Sequence, residues 1–269
     1  MIPFVMSENK EIIPIFYDNS SKKSILTSWS VKEYEEAGAD CPESIVKISE
    51  DEKFEKVFVV SSNFHTFIPL WTNLKAIKCQ LVFGLEILMT RDSDDHSEES
   101  LLSNYKIIAI AKNEKGRSDL FKLYSAWKTR PENKYYEYRM DERQLLDNMT
   151  NNVIIAYPFF NSPIATNLLV HSSNIVAKTL PDTILFREVN TEHPHEELIN
   201  RVLDRFNSDG KYKEVFTKSI YCKNRKDFNK LTVYKTIINN DGNYNRPEMP
   251  YWCSDAFSFE AWKELQVKS

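Results

Sequence analysis

The sequence predicts an α/β fold, a distorted seven-stranded (β/α) barrel forming one domain over residues 1–269. Three observations carry this expectation. Seven apolar runs of strand length recur along the chain. Most are continuous instead of alternating, the pattern of strands buried on both faces as in parallel sheets. Stretches with apolar residues at helical spacing lie between several of these runs, the arrangement of right-handed βαβ units. Finally, 269 residues with 42% hydrophobic and 13% aromatic content supply a large core, at a length that α/β barrels commonly reach as one unit.

The elements follow in order. Ile12 to Tyr17 opens the set, and Val57 to Val60 is the second run, bounded by the polar Ser61-Ser62-Asn63. Phe67 to Lys78 reads as a helix whose stripe is Leu70, Trp71, Leu74 and Ile77, with Trp71 predicted in the core. Gln80 to Met89 is the third strand, with Gly84 marking a bulge or a close approach. Arg91 to Ser100 reads as an exposed acidic loop. Ile107 to Ala111 is the fourth strand, followed by a helix over Lys115 to Trp127, with Trp127 in the core. Val153 to Ala156, Ile184 to Val189 and Glu214 to Ile220 complete the strands, with a helix over Glu196 to Phe206 before the last. The polar Asn239 to Asn245 reads as an exposed loop, and no internal repeat is evident.

Composition narrows the function. A net charge of −4 and a pI near 5.8 argue against a strongly basic nucleic-acid clamp. The Lys- and Arg-bearing stretch Lys211 to Lys230 reads as a solvated helix face, with a local basic patch as the alternative. Cys41, Cys79, Cys222 and Cys253 form no CxxC pair, which excludes a zinc ribbon and gives no disulfide framework. Five glycines leave no Walker loop and no GxGxxG cradle. The N-terminal residues Met1 to Glu8 lack the basic and apolar regions of a secretory leader, and no apolar run approaches a membrane span. A cytoplasmic protein with reduced thiols is the expectation. Richness in Asn, Lys and Ile is common in AT-rich genomes, including those of many phages. The serines show no nucleophile elbow.

In such barrels chemistry sits at the C-terminal ends of strands. Here those ends offer Ser61, Ser62, Ser219 and Tyr221, where a phosphoesterase would need His, Asp or Cys. His193-Pro194-His195 is an H-x-H, but it precedes Glu196-Glu197 and reads as an exposed turn at a helix N-terminus. His65, three residues after Ser62, reads as a residue that orients a ligand, or as a merely polar residue of the cleft, in preference to a ligand itself.

The order of these pieces resembles the PHP (polymerase and histidinol phosphatase) domain, in the form found at the N-terminus of the bacterial replicative polymerase III α subunit. Ile107-Ile108-Ala109-Ile110-Ala111-Lys112-Asn113-Glu114-Lys115-Gly116, with Leu120 to Ser125, looks like the family's strand, A-K-N-x-x-G turn and L-x-K-L-x-S helix. Phe83-Gly84-Leu85-Glu86-Ile87 resembles its I-G-x-E strand. Val215 to Asn224 with Asp227-Phe228 resembles a later strand, and Pro250 to Cys253 through Phe259 to Leu265 resembles the domain's close.

The resemblance implies a set of metal-ligand positions, and this chain fills most of them with other residues. The H-x-H opening matches Phe16-Tyr17-Asp18, and the T-D-H-G strand end matches Val60-Ser61-Ser62-Asn63. Glu86 is retained. The fourth-strand His falls at Lys106, or at Tyr105 after a one-residue slip; a later Cys or His falls near Pro158, and D-x-H matches Ser219-Ile220-Tyr221. The implication is a degenerate, non-catalytic PHP-like protein with no cofactor, possessing at best the weak Mg²⁺ or Mn²⁺ candidates Asp18 and Glu86. It further implies a docking or accessory module for the DNA replication machinery, with a polymerase or proofreading exonuclease partner, DNA contact through that partner, and a phage as one source. A divergent Asp18/Glu86 phosphoesterase or exonuclease, aided by His65, is one alternative; a structural component of a viral assembly is another. The C-terminal tail, about 246–269, buries its aromatic face on the chain itself or on a partner, with Tyr251, Trp252, Phe257, Phe259 and Trp262 as candidate interaction residues.

Overall fold

A computed structural model describes residues 11–38, 41–95, 97, 99–100, 103–129, 138–169, 175, 182–238 and 254–268. Its strands are β1 (Ile13–Tyr17), β2 (Lys56–Ser61), β3 (Gln80–Met89), β4 (Tyr105–Ala111), β5 (Val153–Tyr157), β6 (Thr183–Glu188) and β7 (Lys213–Ile220). They are hydrogen-bonded in the order β1 to β7 and close into a barrel. The helices are α1 (Val31–Ala37), α2 (Ile45–Asp51), α3 (Phe67–Ala76), α4 (Glu114–Lys128), α5 (Glu142–Asn148), α6 (Pro163–Leu169), α7 (Glu196–Phe206), α8 (Phe228–Ile238) and α9 (Phe259–Lys268). Each expected strand is present within two residues of its expected ends.

The sheet is a mixed one, where the continuous apolar runs suggest parallel pairing. β1 pairs in parallel with β2 and with β7, and β5 with β6. β3 and β4 run antiparallel, as do β4 and β5. A continuous apolar run reports burial of both faces but carries no direction, and an antiparallel pair needs only a loop to join it. In the chain, residues 90–104 lie between β3 and β4. The β3–β4 ladder begins with Gly84 opposite Ile110 and continues in register to Met89 opposite Tyr105.

The described residues group into two compact units. One holds Gly84–Arg187 and His195–Val215 with Glu11; the other holds Ile12–Phe83, Glu188–Pro194 and Phe216 onward. In the second, Phe16, Leu26, Ile45, Val46, Val57, Val59, Leu70, Leu74, Ile220 and Phe259 form the core, with Phe54 and Trp262 packed against it. Helix α3 presents Phe67, Leu70 and Leu74 inward. Trp71 is exposed, which corrects its expected core position: it lies one residue, about 100° of helix, beyond Leu70. The Lys75 ammonium covers its ring at 5.3 Å.

In the first unit, α4 starts where the Asn113 side chain accepts the Gly116 N–H at 2.9 Å. The helix buries Leu120, Leu123 and Trp127, and Trp127 donates its indole N–H to the Tyr138 carbonyl at 2.8 Å. Gly116 is required by contact: a Cβ there would meet the Asn152 carbonyl oxygen at 2.3 Å. The α7 expectation holds residue for residue, with acidic Glu196 and Glu197 in its first turn. Among the described residues no helix is long and apolar enough to cross a membrane.

The C-terminal aromatics turn inward. Phe257 and Phe259 are buried. Trp262 stacks on Phe259 at 5.3 Å and donates to the Ile12 carbonyl at 2.9 Å. The chain thus covers its own hydrophobic face, and each such aromatic removes a large apolar area from water. Tyr251 and Trp252 lie outside the described residues.

Candidate functional site

Phe16, the first candidate position, belongs to the core, 5.8 Å from Phe259 between ring centres. Two residues on, where β1 ends, Asp18 is fully buried and caps a single 3₁₀ turn over Asn19–Ser21. Its carboxylate accepts the Ser20 hydroxyl at 2.8 Å, the Ser21 N–H at 3.2 Å and the Thr66 hydroxyl. Ser20 Oγ also lies 3.3 Å from Ser61 Oγ and 3.2 Å from Asn63 Oδ1, while Asn63 donates back to the Ser20 carbonyl at 3.0 Å. Asp18 and Ser61 are therefore brought together, bridged by Ser20, as a network of hydroxyls and amides around one carboxylate. Ser62 is half-buried, and His65 is exposed. Nearby Asp18, the Tyr234 phenol is pushed up by burial and by the Asp18 charge, and it donates to the Asn19 carbonyl at 3.0 Å.

At the end of β7, Ser219 gives both its backbone N–H and its hydroxyl to Glu188, the hydroxyl at 3.0 Å; Thr217 adds a third donor at 3.3 Å. Burial pushes the Glu188 carboxyl up, while Lys218 and these donors favour its charged form. Lys218 is itself fully buried and donates to the carbonyls of Val189 and Asn190 at 3.0 and 2.7 Å. Tyr221 is buried between Tyr17 and Phe257, with ring centres 5.1 and 5.3 Å away. Its carbonyl accepts the Ser24 hydroxyl at 2.8 Å. Ser219 and Tyr221 thus serve packing and internal hydrogen bonds. His193 is buried, contrary to the exposed turn expected for it, in the loop whose carbonyls Lys218 holds.

In the other unit, Glu86 on β3 and Lys106 on β4 form an ion pair, Nζ to Oε1, at 2.8 Å. Glu86 faces Ile108 in the antiparallel ladder, which places Lys106 two residues along on the same face. Tyr105, the slipped alternative, is pushed up to about 12 by burial, with Glu142 and Asp141 adding to it. Pro158 follows β5, half-buried, without any donor or acceptor in its side chain.

These residues do not fit the metal that the resemblance implies. A charged lysine has three donors and no lone pair, and proline offers no ligand at all. The hydroxyls of Ser61 and Ser219 are engaged with other oxygens. Among the described residues no three His, Cys, Asp or Glu side chains gather as a ligand set.

Glu188, Lys218, Ser20 and Thr66 were not foreseen. A signal existed for the first two: Arg187-Glu188 and Lys218 are charges inside otherwise apolar strand runs, and a charge at such a place is buried and paired. For Ser20 and Thr66 nothing in the sequence distinguishes them from ordinary loop residues.

A sequence model of the PHP domain family matches residues 32–218. No curated protein matches the chain.

Proposed function

The chain belongs to the PHP domain family, and on that premise we propose that it is a non-catalytic member that docks onto a protein of the DNA replication machinery. The single observation that carries the non-catalytic reading is the Lys106 ammonium on Glu86, at the position where the family pattern has an imidazole. Metal-assisted hydrolysis needs several lone-pair donors and an open coordination position. At these positions the chain supplies an ammonium, a proline and hydroxyls already in use. The docking reading rests on the resemblance to the polymerase form of the domain, whose PHP region serves as a docking and stabilising element, including for the proofreading exonuclease.

Two measurements test it. Purified protein with Mn²⁺ is expected to turn over neither nitrophenyl phosphate esters nor single-stranded DNA; turnover abolished by Glu86→Ala overturns the non-catalytic half. Affinity purification from the cells that produce the protein is expected to recover a replicative polymerase or exonuclease subunit. Recovery of no replication protein overturns the docking half.

A further inference from the structure

We propose that lysine ammonium groups, and not a bound metal, are the counter-charge of the buried carboxylates Glu86 and Glu188, so that the folded state is independent of divalent cations. In one unit the pair is Glu86 and Lys106. The Glu86 side chain is 7% exposed and Lys106 27%, so the pair is shielded from water, unlike Lys32–Glu36, which is 82% and 67% exposed. A shielded carboxylate without a cation is costly, whereas an exposed pair contributes little. In the other unit Glu188 ends β6 and Lys218 lies on β7, with its ammonium on the carbonyl of Val189, the residue after Glu188, at 3.0 Å. The Lys218 ammonium also donates to the Asn190 carbonyl at 2.7 Å, and Ser219 and Thr217 donate to Glu188 itself at 3.0 and 3.3 Å.

The second unit gathers further ammonium groups around its strand ends. Lys23 lies 4.9 Å from the centre of the Tyr17 ring, Lys218 5.1 Å from that of Phe257, and Lys235 5.3 Å from that of Tyr221. Those three rings pack on one another. An ammonium on an aromatic face is electrostatically favourable when shielded from water. It brings one positive charge and three donors but no lone pair, so it stabilises carboxylates while repelling a second cation. The inference is separate from docking: a docking protein can still depend on metal, and a protein without this partner can still be independent of it.

The test is thermal unfolding of the full chain after chelator treatment, and again with Mn²⁺, Mg²⁺ or Zn²⁺ added. The expected Tm is unchanged in every case. A cation bound at a hundred times its Kd would raise the Tm of a chain this size by roughly 5–10 °C. A rise of that order, or a comparable fall on chelation, overturns the proposal. Variants Lys106→Met, Glu86→Gln and the double variant, all compared in chelator, give the second reading. The Tm loss in the double variant is expected to be smaller than the sum of the single losses. If Lys106→Met alone does not fold, folding of the double variant is the same result. Additive losses, or a double variant that stays unfolded, overturn the claim for this pair; the same cycle with Lys218→Met and Glu188→Gln tests the other.

Discussion

Asp18 distinguishes a structural carboxylate from a metal ligand, because substitution there has opposite consequences under the two roles. Asp18→Ala removes the acceptor for three donors: Ser20 Oγ at 2.8 Å, Ser21 N–H at 3.2 Å and Thr66 Oγ1. A hydrogen bond to a charged acceptor contributes roughly 1.5–3 kcal/mol. Two of the donors are partly rescued. The Ser20 hydroxyl can turn to Asn63 Oδ1 at 3.2 Å, and the Ser21 N–H already shares the Asp18 backbone carbonyl at 3.2 Å. Thr66 loses the partner that ties the start of α3 to the end of β1. The net loss is therefore about one full bond plus a cap, on the order of 2–4 kcal/mol. Set against a total stability of roughly 5–15 kcal/mol, that is a large fraction. It corresponds to a fall in Tm of roughly 5–15 °C for a chain of this length. Urea unfolding followed by circular dichroism, in the presence of chelator, measures it without interference from metal. An Asp18→Ala chain as stable in chelator as the native chain, coupled with a Mn²⁺-dependent stabilisation present in the native chain and absent in the variant, refutes the structural role.

Gly116→Ala places a Cβ against the Asn152 carbonyl, which is held in place by the Lys112 N–H at 2.9 Å. Overpacking outweighs the helix-propensity gain, for a net loss on the order of 2 kcal/mol in urea unfolding; an equally stable variant refutes the close contact. The Arg187 guanidinium holds the Glu214 carboxyl below the usual glutamate range, through bonds of 2.7 and 2.8 Å. A depressed carboxyl contributes stability that is present above its unfolded pKa and lost as pH falls through its folded one. The native chain should therefore lose more stability than Glu214→Gln as pH drops below about 4.3. Parallel curves of urea midpoint against pH for the two chains contradict this.

What the sequence revealed, and what it hid, follows from how each signal is encoded. The strands were legible because runs such as Val57 to Val60 and Ile107 to Ala111 are continuous, β-branched and bounded by polar residues. Their directions were not, because an apolar run reads alike from either end, and β3, β4 and β5 alternate. Helices α1, α2 and α5 escaped because seven residues hold a single amphipathic repeat. Their N-cap residues Ser30, Ser44 and Asp141 were the available clue.

The altered ligand positions were legible as identities: Ser61, Ser219 and Tyr221 are what they are at any register. Their partners were not. A slip of one residue sends a side chain to the other face of a strand. Only the ladder pairing of Glu86 with Ile108 shows that Lys106 shares its face. The networks around Asp18 and Glu188 join residues far apart in the chain, such as Asp18 with Thr66 and Glu188 with Ser219. Periodicity and spacing do not encode such contacts. The PHP pattern, in contrast, was spread over much of the chain, and the family model matches residues 32–218.

The most direct test of the central claim is the number of divalent ions held per chain. Protein purified in the presence of Mn²⁺, passed through gel filtration and analysed for metal content should carry far less than one ion per chain, unchanged in Glu86→Gln. One or more ions per chain, lost in that variant, would mean that Glu86 is a working ligand and that Lys106 does not exclude metal from it.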